Sequence, residues 1–362
     1  MFKILLLLNY IITDYNLNSE NRNNLNDLIF INNASNKYIL DTPIEDQLNT
    51  QFYLAKEFFQ YISFNKEYEQ IYSRFLDKYK IDNWKKYIRT ITELVLSHKN
   101  MSYEIDQNFT YKKGDLIDTN ILKNIYWEYN CILKFKSDNQ MDKDGNSDYR
   151  LFRSKPLILM PNDNYLILNK SFLIDKLYNG LYFDIMELLP KQKNPSSLFT
   201  YKFIEKHIFN NLIKESASNK KYKLIPEEDC KRKHKYTKGE LGPPDYILES
   251  SNSVILFECK DIRLNGWILE QRDFNSLIEE IQNKLLIKKW SYENGIKKYK
   301  EKNQWRKVGV GQLAEHVMNI TLKNFKYTNT NKSKDIYPVL ILGNHIYNFD
   351  GLYKIINNCY NN

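Results

Sequence analysis

The chain has 362 residues, enough for two domains of ordinary size and for a core that needs no disulfide or structural metal. Its net charge of +9 is one-sided: residues 1–195 hold 25 Lys+Arg against 25 Asp+Glu, and residues 196–362 hold 28 against 19. Four scattered cysteines (Cys131, Cys230, Cys259, Cys359) exclude a disulfide framework, and no run of 18 apolar residues offers a membrane span, so a cytoplasmic protein is expected.

The basic half points to a polyanionic partner. Asn, Ile, Lys and Tyr are also over-used, as an AT-rich coding sequence dictates, so charge alone is weak evidence and the reading must come from a site. Residues 2–12 open with Phe2-Lys3-Ile4-Leu5-Leu6-Leu7-Leu8, but Asn9 and Asp14 interrupt the apolar run and no small-residue cleavage site follows. A buried strand or a first helix is expected there. Residues 16–50 are Asn-rich and read as mostly irregular. Over 44–99, Phe52, Ala55, Phe59 and Ile62, then Ile71, Phe75 and Tyr79, then Tyr87, Ile91, Leu94 and Val95 recur at three- and four-residue spacing, which predicts helices. Residues 1–114 therefore read as a mainly helical region.

An α+β accessory region is expected over 115–195. Ile132 to Phe135, Pro156 to Met160 and Tyr165 to Leu168 are candidate strands, the last two joined by the turn Pro161-Asn162-Asp163-Asn164. Ser171 to Leu189 reads as one amphipathic helix. Asp142 to Asp148 imitates the start of a calcium loop, but Ser147 and Arg153 stand where Gly and Glu are required, so a polar turn is the reading.

From 196 onward the pattern is helix (Phe203, Ile204, Ile208, Leu212), short strand (Tyr222 to Ile225), two strands (Pro244 to Glu249 and Val254 to Lys260), helix (Phe274 to Trp290), helix (Gly311 to Leu322) and strand (Tyr337 to Leu342). The two central strands flank Ser250-Ser251-Asn252-Ser253, a hairpin turn. A turn centred between Ser251 and Asn252 sets Asp245 directly opposite Glu258, with Cβ atoms roughly 4.5–5.5 Å apart. Strand alternation places Lys260 on the same face as Glu258, and Cys259 on the other. Two carboxylates this close repel one another unless a cation sits between them. A hard divalent ion bound by oxygen resolves the conflict, with Mg²⁺ (or Mn²⁺) the natural choice. Such an ion makes a bound water more acidic, and Lys260 beside it can hold that water or offset charge on a phosphate.

Pro244-Asp245, twelve residues, then Glu258-Cys259-Lys260 resembles the motif of the PD-(D/E)XK nuclease superfamily. The resemblance covers roughly 198–345. It implies an α/β restriction-endonuclease-like domain over 196–362, a mixed sheet flanked by helices. It implies that Asp245 and Glu258 bind the metal, that the Cys259 backbone assists, and that Lys260 positions the attacking water. Many members add an acid on the first core helix, where Glu205 stands, and some a Gln on the later helix, where Gln312 stands. The activity implied is metal-dependent hydrolysis of DNA phosphodiesters, in restriction or anti-phage defence, with a homo-oligomer or a defence-system partner protein fitting that role. A non-catalytic nucleic-acid-binding protein on the same fold and a ribonuclease toxin are the alternatives.

Lys231, Arg232, Lys233 and Lys235 lie just before the motif. Residues 281–307 carry nine Lys/Arg against two Glu, among them Lys288, Lys289, Arg306 and Lys307. Such runs can neutralise backbone phosphates, or can be solvated surface in a lysine-rich chain. Trp267, Trp290 and Trp305 read more readily as packing than as base-stacking residues. The five histidines show no zinc spacing, and neither a P-loop nor a nucleophile elbow occurs.

Overall fold

A computed structural model describes residues 44–96, 118–131, 154–160, 165–167, 169–189, 197–217, 222–233, 242–262, 274–293, 296–301, 305–325, 334–343, 352 and 356. The expectations for residues 2–12, for the Ile132–Phe135 strand and for the Asp142 turn lie outside them. The chain divides into two compact units, one spanning 41–211 and the other containing 212–362.

In the first unit, α1 (Ile44–Phe64), α2 (Glu69–Tyr79) and α3 (Trp84–Leu96) form where the three- and four-residue spacing predicts them. Phe58, Phe59 and Ile62 of α1, Phe75 and Tyr79 of α2, and Tyr87 and Ile91 of α3 are fully buried. Aromatic rings bind these helices together: Phe59 and Phe75 lie 4.9 Å apart, Phe75 and Tyr87 5.2 Å. After α4 (Thr119–Ile125) comes a small sheet in which β1 (Tyr126–Glu128) runs parallel to β2 (Leu157–Leu159), and β2 antiparallel to β3 (Tyr165–Ile167). The single helix expected over 171–189 is instead two, α5 (Lys170–Asp175) and α6 (Leu181–Leu188). The break has a local cause. Gly180 N–H donates to Asp175 O at 2.6 Å, and a Cβ on Gly180 would lie only 3.0 Å from that oxygen.

The break serves a buried charge cluster. Lys176 in the turn, 2% exposed, donates to Asp184 Oδ2 at 2.7 Å. Tyr79 Oη donates to the same oxygen at 3.0 Å, and Lys78 Nζ donates to Asp184 Oδ1 at 3.0 Å and to Glu187 Oε2 at 2.9 Å. Burial alone would raise the Asp184 carboxyl, but Lys176 and Lys78 outweigh it and hold it below the ordinary carboxylate range. The segment Ser197–Ile208 winds as a π-helix and passes into α7 (Phe209–Ser216). Phe199 stacks on Phe58 at 4.4 Å and Phe203 meets Phe58 edge-on at 5.2 Å. This segment therefore belongs to the first unit, and the boundary falls between 211 and 212.

The second unit is built on a four-stranded mixed sheet in the order β4-β5-β6-β11, formed by β4 (Lys223–Pro226), β5 (Tyr246–Glu249), β6 (Ser253–Lys260) and β11 (Asp335–Leu342). The first three form an antiparallel meander, interrupted between β4 and β5 by α8 (Glu227–Lys233), and β11 runs parallel to β6. The α9 helix (Phe274–Leu285) stops five residues before Trp290. Ile287-Lys288 leaves it as strand β7, which pairs antiparallel with β10 (Arg306–Lys307), and between them lies the hairpin β8 (Trp290–Glu293) and β9 (Ile296–Tyr299). The α10 helix (Val310–Thr321) then leads to β11. One face of the sheet packs Ile225, Ile247, Val254 and Leu256 against Cys230 of α8, Leu313 of α10 and Phe325, with Val317, Ile320, Ile336 and Leu340 around them. His316 of α10 is 1% exposed and edge-on to Phe325, and burial pushes its pKa down to about 4.

Two stability predictions follow from these buried charges. Asp184→Asn leaves Lys176 buried without its counter-charge and is expected to cost about 3–5 kcal/mol in urea unfolding. His316 is neutral when folded and titrates near its ordinary 6.5 when unfolded, so stability falls as pH drops from 6.5 towards 4, by up to about 3 kcal/mol. A His316→Gln variant should lose that part of the slope, and parallel urea midpoints for both proteins across this range check it.

Candidate active site

The β5–β6 turn fixes the site. Ser250 N–H donates to Ser253 O at 2.9 Å, Ser253 N–H donates back to Ser250 Oγ at 3.0 Å, and the two hydroxyls lie 2.8 Å apart. Ser251 and Asn252 are thus the two turn residues, as the sequence predicts. Glu249 then faces Val254 and Tyr246 faces Phe257, and one further step sets Asp245 against Glu258. Side chains alternate along β6, so Val254 and Leu256 enter the core while Glu258 and Lys260 follow on the same face at the strand's carboxyl end.

Regular β5 ends at Tyr246, and Asp245 closes the ladder twice over. Its carbonyl accepts from Glu227 N–H at 2.9 Å, at the start of α8, and its Oδ2 accepts from Cys259 N–H at 2.9 Å. Lys260 Nζ lies 2.7 Å from Glu258 Oε1 and 4.0 Å from Asp245 Oδ2. The side chains of Glu258, Asp245 and Lys260 are 2%, 12% and 20% exposed. Burying Glu258 is tolerable because the ammonium pairs with it.

The sequence-predicted residues fall into two groups. Asp245, Glu258, Lys260 and the Cys259 backbone come together. Glu205 belongs to the first unit, on the π-helical segment between the buried Ile204 and Ile208. Gln312 caps its own helix: its Oε1 accepts from Gly309 N–H at 3.1 Å in the first turn of α10. Of the basic residues on α8, Lys231 pairs with Glu227 and Arg232 with Asp229, each within one helical turn, and Lys233 ends the helix. Lys235 lies outside the described residues. Lys288 and Arg306 face each other across β7 and β10, Lys289 Nζ sits 5.1 Å from the centre of the Trp305 ring, and Lys307 pairs with Glu315 at 3.1 Å.

Two buried acids of the second unit escaped the sequence reading. Asp261, 6% exposed, directly follows Lys260. Glu280 of α9 is fully buried, with Lys284 Nζ 3.0 Å from its Oε1. A signal for Glu280 existed, because it sits on the apolar stripe Leu277, Ile281, Leu285 at helical spacing.

The donor chemistry of the triad fits a hard cation. Asp245 and Glu258 offer carboxylate oxygens and Cys259 a backbone carbonyl, the oxygen set that Mg²⁺ accepts while keeping several waters. Among the described residues no group of three or more His, Cys, Asp or Glu side chains is gathered that could hold a metal by itself.

Lys260→Met removes the ammonium that pairs with the buried Glu258 and should destabilise the protein by about 3 kcal/mol. Added Mg²⁺ should then raise the melting temperature of Lys260→Met more than that of the wild type, and leave Asp245→Asn/Lys260→Met unmoved; a thermal melt with and without Mg²⁺ reads this directly. Compared with protein-family models, curated proteins and solved structures, the chain matches none.

Proposed function

We propose that the chain is a metal-dependent endonuclease of the PD-(D/E)XK kind, acting on DNA. The observation that carries this reading is the gathering of Asp245, Glu258 and Lys260 on one face at the carboxyl end of β6. The sheet order adds support: an antiparallel meander of three strands joined by a crossover to a parallel fourth is a mixed sheet with helices between its strands, in keeping with what the sequence resemblance implies. Clefts at the carboxyl ends of parallel strands are where open α/β sheets bind their ligands.

In this reading Asp245 and Glu258 hold one divalent cation, which would supply Lewis acidity at the scissile phosphate. Asp245 is oriented for that task by the Cys259 N–H, so its carboxylate does not have to be ordered during the reaction. Lys260, the most exposed of the three, holds the attacking water or offsets the charge that grows on the phosphate. The water oxygen forms the new bond to phosphorus, the bond to one sugar oxygen breaks, and the water's proton passes to solvent or to that leaving oxygen. Restriction or anti-phage defence, a cytoplasmic setting and an oligomer or partner protein rest on the family resemblance alone.

Supercoiled plasmid incubated with Mg²⁺ or Mn²⁺ should be nicked or linearised, and chelator should stop it. Asp245→Ala and Glu258→Ala should each lower the rate at least a hundredfold, on the scale of losing a group that stabilises the transition state. Cleavage that survives chelator, or Asp245→Ala at full activity, would overturn the proposal. Cleavage of RNA but not DNA would favour the ribonuclease reading, and binding without any cleavage the non-catalytic one.

A further inference from the structure

The β7–β10 segment between α9 and α10 holds cations in an arrangement that costs stability. Arg306 and Lys288 stand directly opposite each other on paired antiparallel strands. Like charges in that position repel. Lys300 joins them, because its N–H donates to the Lys289 carbonyl at 2.8 Å. Burial lowers the Lys288 ammonium below its ordinary range, and the charges of Arg306, Lys300 and Lys284 lower it further. Lys284 and Lys307 have their own acids, Glu280 and Glu315. Among the described residues no carboxylate pairs with Lys288, Lys300 or Arg306.

Beside this group stands a fixed aromatic ring. Trp305 is 38% exposed, its indole N–H donates to the Lys300 carbonyl at 3.0 Å, and the Lys289 ammonium lies over its ring. A ring tied in this way keeps its orientation while offering surface to solvent.

The segment is also anchored between the end of α9 and the first turn of α10. Val308 N–H donates to the Leu286 carbonyl at 2.8 Å. Gly309 adopts φ +53°, and a Cβ on Gly311 would lie 2.3 Å from Leu286 O, so only glycines let the first turn of α10 approach the end of α9 so closely. In a parallel strand–helix–strand crossover the helix runs back against the strands, which sets that first turn at the carboxyl ends of β6 and β11. Lys260 stands at the same end of the sheet.

We propose that Lys288, Lys300 and Arg306 bind the phosphodiester backbone of a single-stranded or frayed DNA segment, and that Trp305 stacks on one of its unpaired bases. The inference rests on the nucleic-acid reading of this unit and gives it a substrate class: strands with unpaired bases next to the cleavage site. Backbone phosphates supply the missing counter-charge, and base stacking on a tryptophan is tolerant of sequence.

Fluorescence anisotropy with a labelled 20-nucleotide single strand and the matching duplex, in chelator and in the Asp245→Ala background, separates this from cleavage. Trp305→Ala should weaken single-strand binding about tenfold with the salt slope unchanged, and Trp305→Phe should restore most of it. Lys288→Gln/Arg306→Gln should lower the single-strand salt slope by about 1.4, at roughly 0.7 per phosphate contact. Its melting temperature should hold or rise, since the opposed charges are gone. Equal affinity of wild type and Trp305→Ala for the single strand, or duplex bound more tightly than single strand, would overturn the proposal. So would a salt slope unchanged in the double variant. Absence of plasmid cleavage with these binding effects intact would overturn the nuclease reading alone.

Discussion

The second unit depends on a register. Ser250 and Ser253 close a two-residue turn through both backbone and hydroxyl groups, and every pairing along β5 and β6 follows from that closure. Strand side chains alternate with a period of two, so a slip of one residue would send Asp245 to the opposite face from Glu258. The same slip would expel Ile247 from the core it shares with Leu256 and Val254. Core packing and site assembly are therefore selected together: the apolar pattern that buries the hairpin also aligns its acids.

That coupling explains why the site was legible in the sequence and its surroundings less so. Hairpin register is a local property, set by four residues and checked by alternation over the next ten. Helix α10 was legible for a similar reason, as a periodic run, and strand β11 as a short continuous apolar one. The helix over 171–189 was not, because the turn that interrupts it holds Lys176 inward against Asp184, a contact between residues eight apart that periodicity does not encode. The end of α9 at Leu285 was hidden as well, since Ile287-Lys288 becomes a strand only by pairing with Arg306-Lys307 nearly twenty residues on. Glu205 and Gln312 were chosen by position in a motif, and position says nothing about partners: Gln312 turned out to bond its own helix start, and Glu205 to lie on a segment whose Phe199 and Phe203 pack against Phe58.

Basic residues show the same limit. Lysine and arginine counts treat Lys231, Arg232 and Lys307 as equal to Lys288 and Arg306, yet the first three meet Glu227, Asp229 and Glu315. Only the last two oppose one another. Among these described residues the basic charge thus divides into cations already neutralised by neighbours and a smaller set held where their mutual repulsion is unrelieved. The smaller set bears on function, because an anion added there removes a cost instead of replacing an existing partner.

Two buried charge clusters among the described residues can be compared from the acid side. Around Asp184, two carboxylates (Asp184 and Glu187) meet two ammoniums (Lys78 and Lys176), so the charges cancel and a tyrosine hydroxyl adds a further donor. Such a cluster is complete and serves to hold helices. Around Glu258, the carboxylates of Glu258 and Asp245 meet the Lys260 ammonium at the carboxyl end of β6, where Lys260 still reaches solvent. A cluster that reaches solvent and whose acids offer hard oxygen donors is the one of the two that a divalent cation would suit. The proposed metal chemistry rests on that placement, which a charge count over the whole chain conceals.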